Sequence, residues 1–227
     1  MSKIGVIILS DIHFIKDESK CKLCLKEPNY LTTFLTFIKQ QMIDDEIKYK
    51  YMLIAGDLVE SGKRSEYKEI KEVLNKILKE LEIKKEHLLL VPGNHDLSRD
   101  KISSYCDTND ISEDKAFQYM DIKFQNYIEF YKEFMGVNEY SLDKAIISTL
   151  NFEECNISVL GVNSNAKESH RSEDHIGYID EDKLMEEIKD LDPNRHYLVL
   201  THHSWSDDRQ NELPTIKNAE SAKKFFN

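Results

Sequence analysis

No stretch of this chain of 227 residues comes near the roughly 20 consecutive apolar residues that cross a bilayer. The start, Met1-Ser2-Lys3 leading straight into an apolar strand, lacks the apolar core and cleavage site of a secretory leader. No membrane partner is therefore expected, and the expected location is the cytoplasm. Positive charge is also short: 31 Lys and Arg face 42 Asp and Glu, a net charge of −11. Proteins that grip nucleic acid unaided draw affinity from neutralising phosphates, so this balance argues against tight autonomous DNA binding. Bound divalent cations would change the field around a site. Glycine and proline are few, 7 and 4, and no repeat, low-complexity tract or linker interrupts the chain. A single domain over residues 1–227, with 40% hydrophobic residues for its core, is the economical reading. Cysteine is scarce as well. Cys21 and Cys24 form a lone C-x-x-C with no second pair at zinc-ribbon spacing. A structural zinc, a redox pair and incidental reduced thiols all remain open there.

What the chain does have is apolar strands that end in polar chemistry. Leu88-Leu89-Leu90-Val91 reads as a buried strand, broken by Pro92-Gly93 and followed at once by Asn94, His95 and Asp96. Residues 3–10 and 51–55 share the design, the first running into Asp11-Ile12-His13 and the second into Gly56-Asp57. A polar loop covers 14–27, and helical patterns cover 29–47 and 64–81. The first half thus reads β-α-β-α-β, a parallel sheet with helices on its faces. Residues 97–113 show no clear periodicity. The spacing predicts one helix over 114–135, rich in aromatic rings that pack onto the sheet. Runs at 145–151 and 156–162 predict a hairpin, turning at Glu153-Glu154, that extends or faces the first sheet. A polar loop from Asn163, a helix over 181–191 and a last strand at 196–200, leading into Thr201-His202-His203, complete the pattern.

Asp11, His13, Asp57, Asn94 and His202 each stand just past the C-terminal end of a predicted strand, where open α/β sheets bind ligands. Carboxylate, imidazole and amide oxygen together suit first-row divalent metals such as Mn, Fe, Co or Zn. Asp57, beside Gly56, is placed to bridge two cations. Two cations roughly 3.5–4 Å apart clamp a phosphoryl group and generate a hydroxide nucleophile. His95 suits proton transfer to a leaving oxygen, with a carboxylate to orient it. Any one of these residues is readily explained as a satisfied loop residue. The set is not.

Asp11-Ile12-His13, Gly56-Asp57-x-x-Glu60, Gly93-Asn94-His95-Asp96 and His202-His203 resemble, in order and spacing, the calcineurin-like metallophosphoesterase superfamily. The resemblance implies an α/β fold, a two-sheet β-sandwich flanked by helices, with a helical insert at about residues 97–140. It implies Asp11 and His13 as ligands of a first divalent metal, Asp57 as the bridge, and Asn94 and His202 as ligands of a second. Manganese comes foremost, with Fe, Zn, Co or Ni as alternatives. His95 then contacts the phosphoryl group or the leaving oxygen, and Asp96 orients it. The implied activity is hydrolysis of a phosphoester, diesters ahead of monoesters, by a metal-bridging hydroxide. The substrate class is nucleotide or nucleic acid, with phosphoprotein ranked lower. The family pattern closes with a Gly-His-x-His block, and residues 205–227 hold no histidine. The expectation is an N-terminal effector module of a larger bacterial protein, with further C-terminal domains or a protein partner. The final strands of the second sheet would then lie outside this chain. Otherwise His203, His170 or His175 would have to substitute. The competing reading is a catalytically weak regulatory or scaffold module with an incomplete metal site.

Overall fold

Parallel pairing of the three apolar runs organises the computed structural model, which describes residues 3–14, 28–169, 176–206 and 215–226. The strands β1 (Lys3–Leu9), β2 (Ile47–Ala55) and β3 (Leu88–Val91) lie side by side in that order. Parallel neighbours need crossovers, here α1 (Pro28–Asp44) and α2 (Arg64–Leu81). β2 starts earlier than its apolar half suggests, because Lys48 and Lys50 alternate with Ile47 and Tyr49. α2 buries Tyr67, Ile70, Leu74, Ile77, Leu78 and Leu81, one stripe at helical spacing. The Glu66 carboxylate in its first turn accepts the amides of Ser61 and Lys63, which shapes the turn ahead of the helix. Among the described residues, no helix is long and apolar enough to cross a membrane.

The second sheet contains β4 (Ile146–Phe152), β5 (Ile157–Val162) and β6 (His196–Leu200) in the order β4-β5-β6. β4 and β5 form the expected hairpin, and β6 joins β5 in parallel. The hairpin faces the first sheet. Tyr51 of β2 lies over Phe152 of β4 with ring centroids 4.1 Å apart, and its hydroxyl donates to Glu154. A methyl group in place of the Gly161 hydrogen would stand 3.0 Å from Val91, so the sheets pack closely where β5 crosses β3. α6 (Glu181–Glu187) precedes β6, and a short α7 (Ala219–Ala222) packs on the outer cluster of this sheet. The two sheets and their helices form the α/β sandwich that the sequence motifs imply.

The segment between the sheets is helical but broken. α3 (Arg99–Thr108) occupies residues without visible periodicity, because only Ile102 and Cys106 of its ten residues are buried. The single helix expected over 114–135 is a 3-10 turn at 113–118, then α4 (Met120–Lys123) and α5 (Gln125–Met135). The breaks fall at Tyr119 and Phe124. They let Met120, Lys123 and Phe124 turn inward together with the α5 stripe of Tyr127, Phe130 and Phe134. The rings are core, as the packing reading expects: Phe130 stacks on Tyr67 of α2 at 5.1 Å.

One edge of the sandwich is open. Val6 and Ile8 of β1 register with Tyr51 and Leu53, so they sit on the face turned toward the second sheet. They are nevertheless 39% and 63% exposed. Leu198 of β6 registers with buried Val159, also facing inward, and is 53% exposed. Apolar residues on interior faces with this much exposure leave the inner sides of β1 and β6 partly uncovered.

Lys123 is a buried lysine in the core. Its side chain is 0% exposed, and its ammonium donates to the carbonyls of Asn165 and Glu168 at 3.1 and 2.6 Å. Burial pulls the ammonium down to about 7, against the opposing pull of the Glu168 carboxylate. In the unfolded chain it titrates near about 10.4, so between those values the unfolded state holds more protons. Folding stability should therefore rise with pH through that window. Thermal unfolding of the wild type should move upward between pH 7 and 9, and Lys123→Met should lack that component. Equal pH slopes in the two proteins would contradict the assignment.

Candidate metal centre

The ends of β1, β2, β3 and β6 meet at one point. Beyond β1 the chain stays beside the continuation of β2: Asp11 N donates to Gly56 O at 3.2 Å, His13 N to Asp57 O at 2.9 Å and Phe14 N to Leu58 O at 3.0 Å. This path holds Asp11, His13 and Asp57 in the left-handed region, at φ 54°, 45° and 52°. For a residue with a Cβ that conformation costs about 1–2 kcal/mol. Strain of this kind persists where the surroundings over-determine it, typically at functional sites. Gly56, at φ 88°, and Gly93 make the approach possible. A methyl group at Gly93 would stand 2.1 Å from Asp57 Oδ1.

Asp57 is 2% exposed and sits at the centre. Its Oδ2 lies 3.4 Å from His13 Nε2, and its Oδ1 lies 3.5 Å from His202 Nε2. Asp11 Oδ1 is 3.8 Å from the same His13 nitrogen, and Asn94 Oδ1 is 3.0 Å from the same His202 nitrogen. The far side of each ring decides its tautomer. His202 Nδ1 is 2.8 Å from the Ala55 carbonyl, which only accepts, so Nδ1 carries the proton. In the neutral ring Nε2 then presents a lone pair to two oxygen acceptors. His13 Nδ1 likewise faces Glu60 Oε2 at 2.9 Å, leaving Nε2 to the carboxylates. Lone pairs converging on one space are what a cation requires. Among the described residues two sets could hold an ion, His13-Asp57-His95 and Asp11-Asp57-His202, and both contain Asp57.

The electrostatics follow from the crowding of carboxylates. Contact with His13 holds the Asp11 carboxyl down at about 2, aided by the Ser10 hydroxyl and opposed by burial. His13 is raised above the ordinary imidazole value, first by Asp11 and then by the charges of Asp57 and Glu60, against the effect of burial. The raised value favours the protonated ring, and a metal ligand must be neutral imidazole, so metal uptake should release protons.

His95 and Asp96 take different positions around this centre. His95 Nδ1 donates to the Glu60 carbonyl at 2.8 Å, and its backbone amide donates to Asp57 Oδ1 at 2.9 Å. Its ring meets His13 edge to face at 4.6 Å. Asp96, expected beside the His95 ring as its orienting partner, lies beneath the loop. Its carboxylate accepts from Gly93 N at 2.9 Å, Leu58 N at 3.3 Å and the Tyr67 hydroxyl at 2.9 Å. Burial, then the Asp57 charge, pushes it up to about 7. The group at His95 Nδ1 is main chain, which no side-chain motif reveals. Glu60 was visible in the Gly56-Asp57-x-x-Glu60 spacing, but not its double use, side chain to His13 and carbonyl to His95. Tyr67 reads in the sequence as one more core residue of α2. His203 is turned away: Nδ1 pairs with the Ser164 hydroxyl at 2.7 Å, and the residue packs against Gly177. His170, His175, Cys21 and Cys24 lie outside the described residues.

Two tests follow from this geometry. Gly93→Ala should displace Asp57 and weaken manganese uptake by about tenfold or more, the scale of supporting contacts around metal ligands. Near-UV circular dichroism should stay close to that of the wild type, and unchanged manganese affinity by calorimetry would contradict the close-approach account. Manganese titration in weak buffer near neutral pH should also release protons, and uptake without release would contradict the upward shift of His13.

A family model described as calcineurin-like phosphoesterase matches residues 4–224. An uncharacterized metallophosphoesterase-like protein of Bacillus subtilis (strain 168), YydB, is 24% identical over 232 residues. That match covers 95% of this chain and 45% of the relative, so the chain spans less than half of that protein's length. Together with strand ends that converge on a shared carboxylate, the match over nearly the whole chain places this protein in the calcineurin-like phosphoesterase family of metal-dependent phosphoesterases.

Proposed function

We propose that this chain is a dimetal phosphoesterase that cleaves phosphodiester bonds in nucleotides or nucleic acid. The observation that carries the proposal is the Asp57 carboxylate, whose two oxygens face His13 and His202 separately at 3.4 and 3.5 Å. In this reading Asp11 and His13 would hold one divalent ion, Asn94 and His202 the other, and Asp57 would serve both. Manganese is the first candidate for a donor set of carboxylate, imidazole and amide oxygen. When bound, such a pair supplies Lewis acidity toward a phosphoryl oxygen and lowers the pKa of water. The chain's own residues do the rest. Glu60 fixes the His13 ring through Nδ1, and its carbonyl fixes His95. His95, its Nδ1–H held by that carbonyl, would give the leaving oxygen a proton from Nε2 of its doubly protonated ring and be left neutral, and Asp96 keeps the Pro92–Asp96 loop closed beneath it. The net charge of −11 favours a nucleotide, or nucleic acid delivered by a partner, over a long duplex bound by charge.

Residues 1–227 act in this proposal as one metallophosphoesterase domain, with the helical segment at about 97–140 as its insert, working in the cytoplasm as a module of a larger bacterial protein. The relative's greater length supports that placement, as does the open edge at Val6, Ile8 and Leu198, where further strands or a partner would pack. A second reading, a regulatory or scaffold module of weak activity, draws on His203: the structure turns it to Ser164, so it adds no ligand to the centre.

Hydrolysis of bis-p-nitrophenyl phosphate separates the two. The 227-residue chain should turn over the diester with manganese and not with EDTA, and faster than p-nitrophenyl phosphate. Asp57→Asn, a substitution that tolerates the left-handed backbone, should abolish turnover while retaining the fold. His95→Asn should lower kcat by about 10²–10⁴ while keeping bound manganese. Full activity in Asp57→Asn would overturn the proposal. Metal uptake without turnover would favour the regulatory module.

A further inference from the structure

Lys123 lies in the insert, outside every metal-ligand motif, yet it reaches both ends of the loop that carries Asn94, His95 and Asp96. At one end the contact is direct: the Lys123 carbonyl accepts from Ser98 N at 2.7 Å. At the other end it runs through Asn165. The Lys123 ammonium donates to Asn165 O, which also takes Glu168 N at 3.1 Å, so the lysine helps to close the 165–168 turn. Asn165, whose backbone amide donates to Asn163 Oδ1 at 2.9 Å, donates from its side-chain Nδ2 to Pro92 O at 2.8 Å. Gly93 N, on the other side of the same peptide, donates to Asp96 Oδ2 at 2.9 Å. The Pro92–Gly93 peptide is therefore pinned at both of its polar ends, immediately before Asn94.

Packing alone does not call for a cation at this position. An ammonium withdrawn from water is expensive unless its protons are accepted, and a methionine of similar length would fill the space. What the ammonium adds is direction: two carbonyls of one turn, Asn165 and Glu168, are fixed at 3.1 and 2.6 Å. Building on the metal-centre reading above, we propose that Lys123 is a positioning residue for the site. Through Asn165 it fixes the Pro92–Gly93 peptide and with it the amide oxygen of Asn94. The insert is thereby coupled to the metal loop, and anything that shifts α4 shifts the ligand.

Hydrogen exchange gives a readout that needs no metal. In Lys123→Met and in Asn165→Leu, amides of residues 93–98 should exchange at least about tenfold faster, while β3 and α2 keep their protection. The double variant should be no faster than the faster single, because both substitutions cut one relay. Each variant should also bind manganese about tenfold more weakly. Uniform loss of protection across the domain, or additive effects in the double variant, would reduce Lys123 to a packing residue and overturn the proposal. Should Lys123→Met fail to fold, Asn165→Leu alone decides: wild-type protection of 93–98 would overturn it. A wild-type chain that takes up no manganese would contradict the metal reading, and the exchange data would still decide the positioning role.

Discussion

Four strand ends deliver oxygen and nitrogen lone pairs into one space around the buried Asp57, and the rest of the structure is arranged to make that tolerable. Asp57 is 2% exposed, with His13, His202 and the His95 amide around its two oxygens. Carboxylates concentrated this way repel one another in a low-dielectric surround. The titrations shift in answer: His13 is raised by its acidic neighbours, and burial, then the Asp57 charge, pushes Asp96 up to about 7. Divalent cations would answer it better. The left-handed backbones of Asp11, His13 and Asp57 and the absence of a side chain at Gly93 are what that convergence demands of the backbone.

A chain with seven glycines places two of them, Gly56 and Gly93, where strand ends must nearly touch. The other supports are indirect. Glu60 orients His13 with its side chain and His95 with its carbonyl. Glu66 shapes the turn that carries Glu60 into α2, and Tyr67 of that helix reaches Asp96. From the opposite side Lys123 and Asn165 hold the start of the metal loop. The centre is thus braced by the helix that joins two strands and by the insert that follows the third. Elements with no ligand of their own still set its geometry.

How much of this the sequence discloses depends on whether a residue's role is local. Strands β1 and β3 and helix α2 are legible because their apolar pattern is one-dimensional, and the meeting of Asp11, His13, Asp57, Asn94 and His202 at one point is legible because each closely follows the end of β1, β2, β3 or β6. α3 was not, since two buried residues in ten make no visible period. Nor was the break of the aromatic helix at Tyr119 and Phe124, where tertiary burial of Lys123 and Phe124 overrides helix propensity. Partners such as the Glu60 carbonyl or the Lys123–Asn165 relay connect residues about 35 to 45 positions apart through main-chain atoms. No side-chain motif encodes such a contact.

The central claim is that one carboxylate is shared by two metal ions, and electron paramagnetic resonance during a manganese titration of the purified chain tests it most directly. The account predicts two bound ions per chain and an exchange-coupled spectrum that grows in as the second ion binds, as expected for ions sharing the Asp57 carboxylate. A spectrum of isolated ions at saturation, or a coupled pair that survives Asp57→Asn unchanged, would contradict it.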